Sequence, residues 1–209
     1  MRIEDTTLSF LEEDCLQRFG RAEGAEVFSR TQERYRDLLE GADDHGSPAI
    51  REHLQKKLFP PMAYYLTLLE RGIPREKALD LTGEETRRAA GVKREQMRRL
   101  AGFPFAYTLY RFACKSFMRK NFPEEGWETE WVRCDGEELH FNLGRCIYWD
   151  LTRLHSCPEL CRLYCENDLV SFSGLLPKIR FERGGTLGTG APRCDFHFLK
   201  GASRPAPPK

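Results

Sequence analysis

Six of the eight cysteines fall from residue 134 onward: Cys134, Cys146, Cys157, Cys161, Cys165 and Cys194. Three of them, Cys157, Cys161 and Cys165, recur at four-residue steps. On a helix such positions drift by about 40° per step and so share one face. Three thiols on one face suit small buried side chains packed against a neighbouring element, thiolate metal ligands, or a nucleophile. The three-residue separation departs from the two-residue knuckle of most zinc sites, and it does not match the spacing of an iron–sulfur cluster motif. A nucleophilic thiol needs a helix N-terminus or a cation to lower its pKa, and an acid or base within reach. Cys157 meets the first requirement as the start of a helix, with His155, Arg153, Arg193 and His197 as the cations available to it. Glu166, Asp168 and Asp195 supply carboxylates for acid–base work in the same segment.

The segment GGTLGTGAPRC supports two readings as well. It is a loop linking two strands, or a loop closing over a small carboxylated ligand through its N–H groups and Thr186 or Thr189. Neither a strand–GxGxxG–helix pattern nor GxxxxGK[ST] is present, so nucleotide motifs are excluded. Between Arg87 and Lys120 ten basic residues face a single acid, Glu95, and Phe103, Phe105, Tyr107, Tyr110, Phe112 and Phe117 are interleaved with them. That mixture would suit single-stranded nucleic acid. Aromatics at helical spacing more often pack in a core, so the expectation is a solvated basic face or pairing with the acidic N-terminal helices.

The elements that must position these residues change character along the chain. Residues 1–122 read as helices: LSFLEEDCLQRF, then AEVFSRTQERYRDLLEG, then a stretch opened by Ser47-Pro48 and divided at Pro60-Pro61. Further helices are expected from Pro74 toward Ala90 and from Phe105 to Lys120. From Trp127 the period becomes two, and WETEWVRC and EELHFNLGRC flank Asp135-Gly136, which favours a type I′ hairpin. Ser156 and Glu159 match a capping box opening a helix through CPELCRLYCENDL, and KIRFER and RCDFHFL read as the last strands. The fold class expected is α+β, with N-terminal helices packed with a small antiparallel sheet and a Cys-rich helix in the C-terminal half. One domain over 1–199 is expected, its helical half 1–122 and its strand-rich half 127–199, followed by a flexible tail over 200–209.

The 209 residues carry 33 Lys+Arg against 32 Asp+Glu, a formal charge of +1, which disfavours a dedicated nucleic-acid module. No apolar run approaches the ~18–20 residues of a membrane helix, and the acidic start MRIEDTTLSFLEEDC lacks the core of a signal peptide. The expected location is the cytoplasm, with reduced thiols, no membrane and no nucleic-acid partner.

Taken in order, Cys146-Ile147-Tyr148, Cys165-Glu166-Asn167-Asp168, and Arg183, Thr186 and Gly190 leading to Cys194-Asp195-Phe196 with Phe198 form a pattern. It resembles the L-2-amino-thiazoline-4-carboxylic acid hydrolase family over about residues 127–199; Cys157 and Cys161 lie outside it. The resemblance implies hydrolysis of a cyclic isothiourea to an N-carbamoyl amino acid by opening of the carbon–sulfur bond. The chemistry then asks for a thiolate from Cys165 or Cys194, with Cys146 next, and an acid–base group from Asp168 or Asp195. Substrate binding is expected from Arg183, Thr186, Gly190 and His197. No cofactor or resident metal is expected; the partner expected is a small-molecule substrate, with a homo-oligomer left open. The rival is a non-catalytic small-ligand or zinc-binding module using Cys146, Cys157, Cys161, Cys165 and Cys194; it would unfold with chelator, whereas a thiol hydrolase would lose activity on alkylation.

Overall fold

Helical periodicity in the first 122 residues and alternation after Trp127 produce the expected α+β fold, seen here in a computed structural model that describes residues 1–201. The described chain forms two compact units: Met1–Ala89 with Asp150–Leu163, and Ala90–Trp149 with the chain from Tyr164 onward.

The first unit is built on α1 (Leu11–Phe19), α2 (Arg21–Glu40), α3 (Pro48–His53), α4 (Phe59–Glu70) and the start of α5 (Arg75–Ala101). Leu11, Val27, Tyr35, Phe59, Met62, Tyr64 and Leu68 are fully buried, and the Tyr35 hydroxyl donates to the Gln55 carbonyl at 2.7 Å. Ser47 caps α3 as expected, accepting from the Ile50 N–H. The break expected at Pro60-Pro61 comes one turn earlier, as a π-helical turn over Leu54–Leu58. There the Phe59 N–H reaches back to the Leu54 carbonyl, and both prolines occupy the first turn of α4, where no donor is required. The α5 helix outruns its expected end near Ala90 by eleven residues, reaching Ala101, because VKREQMRRLA holds good helix formers and no proline.

The second unit is an antiparallel sheet of order β1-β2-β4-β3, formed by β1 (Trp127–Cys134), β2 (Glu138–Cys146), β3 (Ile179–Glu182) and β4 (Cys194–Lys200). The hairpin strands are as expected but the turn is not. Its tip is Gly136-Glu137, with neither residue at positive φ, because the Asp135 carboxylate accepts from the Glu137 and Glu138 N–H groups and holds a different turn. The registers Leu143↔Cys194, Phe141↔Phe196 and Leu139↔Phe198 place these six side chains on one face. Helices α6 (Ala106–Asn121) and α8 (Cys161–Phe172) cover that face: Phe198 meets the rings of Tyr110 and Phe172, each at 5.0 Å between centroids. Lys200 ends β4, and the rest of the expected tail lies outside the described residues.

After α8 the chain passes Gly174 against α5. A Cβ there would stand 2.1 Å from the Arg94 carbonyl oxygen and 3.0 Å from the Arg98 nitrogen, both backbone atoms that cannot swing aside. Gly174→Ala is expected to destabilise the protein by about 1–3 kcal/mol or more, read as a lower urea midpoint at unchanged slope.

Candidate functional site: three thiols, a carboxylate and an arginine

The helical start comes close to where it is expected, as a 3₁₀ turn over Pro158–Leu160 leading into α8, but Cys157 is its N-cap and makes no side-chain cap bond, and the Ser156–Glu159 capping box is absent. Ser156 instead ends α7 (Ile147–Leu154) in a left-handed conformation, φ 57°, with the Cys157 N–H on the Thr152 carbonyl. Glu159 takes part in no capping box; it accepts from the Tyr65 hydroxyl and pairs with Arg75. Burial, reinforced by the Glu159 charge, pushes the Cys157 thiol up to about 12. The thiol stripe is divided as well: Cys157 and Cys161 are buried in the first unit, while Cys165 belongs to the second. Cys15 and Cys114 are buried thiols, each raised to about 12 chiefly by desolvation.

Within the second unit, α8, β4 and the β2–α7 junction bring Cys165, Cys194 and Cys146 together. Cys194 lies on the sheet face that α8 covers, and its thiol is hydrogen-bonded with that of Cys165. This bond first, and burial second, hold Cys194 in the protonated form. Its sulfur also accepts the Leu187 N–H at 3.2 Å. Cys146 immediately precedes α7; burial lifts its pKa to about 11, opposed by the N–H groups of Trp149 and Tyr148 and by the Trp127 indole, all directed at the sulfur. All eight cysteines are free thiols. Among the described residues no group of three or more His, Cys, Asp or Glu side chains is arranged to hold a metal ion.

Asp168 follows Cys165 by three residues, so both project from one side of α8. Desolvation raises its pKa to about 6 despite the opposing Arg183 charge, yet its side chain keeps 36% of its accessible surface. Crowding by protein together with residual access describes a carboxylate at the floor of a recess. Asn167, next to it, has a buried side-chain oxygen with no hydrogen-bond partner. Tyr110 of α6 borders Asp168 and is itself raised, mainly by burial.

Arg183, at the end of β3, is only 6% exposed and spends each nitrogen on the protein. Nη2 donates to Asp168 Oδ2 at 2.9 Å, Nη1 to the Cys165 carbonyl at 3.0 Å, and Nε to the Asp195 carbonyl at 3.1 Å. Its guanidinium stacks over Phe196 at 4.0 Å. It therefore ties α8 to β3 and β4 and sets the direction of the Asp168 carboxylate.

Other expected site residues are placed elsewhere or otherwise engaged. Burial opposes the Asp195 charge, but the Gly184 and Gly185 N–H groups on its carboxylate prevail and hold its pKa below the ordinary range. The glycine loop turns its N–H groups inward: Thr186 onto the Thr189 hydroxyl, Ala191 onto the Thr186 carbonyl, and Gly190, at φ 85°, onto the Leu187 carbonyl. Thr186 itself is buried. The loop thus supports Cys194 instead of presenting an anion cradle. His197 is three residues beyond Cys194, so the pleat sends it to the opposite sheet face, where it stacks on His140 and bonds Glu138 at 2.8 Å. It is not brought to the thiols. Sequence reasoning missed Trp127, Tyr110 and the Leu187 N–H; the only signal for Trp127 was its place opposite Cys146 in the hairpin.

Comparison with curated proteins and with solved structures gives no match. The family model described as L-2-amino-thiazoline-4-carboxylic acid hydrolase matches residues 51–198, most of the chain and all of the cluster built from Cys146, Cys165, Asp168, Arg183 and Cys194. The chain belongs to the L-2-amino-thiazoline-4-carboxylic acid hydrolase family.

Proposed function

We propose that the protein hydrolyses a small cyclic isothiourea of the 2-amino-thiazoline-4-carboxylate type to an N-carbamoyl amino acid bearing a free thiol. The observation that carries this reading is the pairing, one turn apart on α8, of a thiol and a recessed carboxylate, with a second thiol hydrogen-bonded to the first. An isothiourea ring presents N–H donors, and Asp168 and the unmet Asn167 oxygen are acceptors of the matching kind.

In this mechanism Asp168 pairs with the amidine-like nitrogens of the ring and the Cys165 thiolate attacks the carbon between sulfur and nitrogen. The ring carbon–sulfur bond breaks, and the departing sulfur takes the proton of Cys194. Water, with Asp168 as base, then adds to the same carbon and expels Cys165, leaving the carbonyl oxygen. The two protons of that water end on the released sulfur, by way of Cys194, and on the former ring nitrogen. Arg183 acts as a positioning residue that holds the Asp168 carboxylate, and Asp195 anchors the loop behind Cys194. The test is incubation of reduced protein with L-2-amino-thiazoline-4-carboxylate, following the product by mass spectrometry and thiol titration. Turnover above a buffer control supports the reading; none from folded, fully reduced protein overturns it.

Because Asp168 acts here as a carboxylate, kcat/KM is expected to rise with pH through an acidic limb centred near 6, and Asp168→Asn to flatten that limb. Stability runs the other way. The folded pKa lies above the ordinary 3.8, so the favourable contribution of this carboxyl is complete below that value and is lost as pH rises through about 6. Activity profiles and urea melts over the same pH window check both signs.

A further inference from the structure

The near-neutral charge of the whole chain conceals a local imbalance in the second unit. From Arg98 to Asn121 there is no acidic residue, while Arg98, Arg99, Arg111, Lys115, Arg119 and Lys120 supply six cations. The aromatics of this stretch were expected in the core, and Tyr107 is there. Several of the others face out: Phe105 is 81% exposed, Phe112 71% and Leu109 52%. Phe105, Leu109 and Phe112 stand at i, i+4 and i+7, so they form one stripe along the outer side of α6, opposite the buried Cys114 and Met118. Lys115, Arg119 and Lys120 are exposed on the flanks of that stripe. Phe105, the N-cap of this helix, also holds a left-handed conformation, φ 61°, unusual for an aromatic residue.

We propose that this face of α6 docks on an anionic lipid surface, lying in the plane of the headgroups. Charge complementarity decides the occupant. A helix parallel to a bilayer places its apolar stripe at the acyl boundary and its flanking cations among anionic headgroups, and α6 itself carries cations and no acid. The pattern suits single-stranded nucleic acid less well, because stacking on bases uses ring faces along a groove, and the centre of this stripe is an aliphatic leucine on an exposed helix. The inference uses none of the residues of the thiol site, so it stands or falls apart from the proposed hydrolysis.

The test is co-sedimentation of the full chain with phosphatidylcholine vesicles, with and without phosphatidylserine, at low and high salt. Binding that requires phosphatidylserine and weakens with salt is expected. Phe105→Ser with Phe112→Ser should lower the partition at least roughly tenfold, since each ring loses its apolar burial. Lys115→Gln with Arg119→Gln leaves the apolar stripe intact and should lower it roughly 25-fold, two surface charges each weighing about fivefold. Either variant suffices if the other fails to fold. No phosphatidylserine-dependent binding by the wild-type chain, or unchanged binding by the charge variant, overturns the proposal. Capture of a single-stranded oligonucleotide without vesicle binding, or self-association through this face in its place, overturns it as well.

Discussion

Cys165→Ser is expected to lower kcat for the thiazoline carboxylate by at least about a thousandfold while leaving the thermal midpoint nearly unchanged, because the swap removes the nucleophile and little else. The hydroxyl keeps the approximate volume and the hydrogen bond with Cys194 but is a far weaker nucleophile without a strong base beside it. Cys194→Ser should cost less, about a hundredfold or below, since a hydroxyl can still pass a proton to the departing sulfur. The order of the two effects separates the roles. If Cys194→Ser abolished turnover and Cys165→Ser were mild, the nucleophile would be Cys194 and the direction of the thiol–thiol hydrogen bond would have to be reversed.

Arg183→Met is expected to be the most destabilising single change near the site. It removes a nearly buried guanidinium and leaves the Cys165 and Asp195 carbonyls and the Asp168 carboxylate without their donors. Breaking one side of a buried charged pair costs about 3–5 kcal/mol, and the lower end applies because Asp168 is partly accessible to solvent. For a chain of this size about 3 kcal/mol lowers Tm by roughly 6–12 °C. Adding Asp168→Asn should recover part of the loss, since the amide does not demand a counter-charge, but no activity. Arg183→Lys should sit between, because one ammonium cannot span three acceptors divided between α8 and β4. A calorimetric scan of the four proteins reads the series; an undisturbed Tm in Arg183→Met would show that this arginine does not hold the site together.

Much of the architecture could be read from local pattern. Both hairpin strands, the helix after Phe105 and the glycine-rich link between β3 and β4 follow from periodicity and from residues with few conformational options. The grouping of Cys165, Asp168, Arg183 and Cys194 was legible through motif resemblance, and the i, i+3 spacing explains half of it physically. What stayed hidden depends on competition between local signals and tertiary partners. Ser156 and Glu159 have the letters of a capping box, but Glu159 has Tyr65 and Arg75 to bond and Ser156 serves the preceding helix. Asp135-Gly136 has the letters of a type I′ turn, but the Asp135 carboxylate satisfies two N–H groups in another geometry. His197 was placed near the thiols by chain proximity, and strand alternation sends it to the far face. Arg183 was expected to bind substrate; its three protein acceptors belong to segments that no spacing rule connects. The aromatics of α6 show the opposite failure, since helical spacing alone does not say which side of a helix a neighbour will cover.

The central claim is that Cys165 attacks the ring carbon and carries the substrate through a covalent intermediate. Acid-quenching a single turnover with L-2-amino-thiazoline-4-carboxylate and mapping the peptides by mass spectrometry tests it most directly. The account predicts a ring-opened substrate attached to Cys165, formed and lost on the timescale of product release and absent from Cys165→Ser. Product formed while Cys165 remains unmodified throughout, or an adduct on Cys146 or Cys194 in its place, would contradict it.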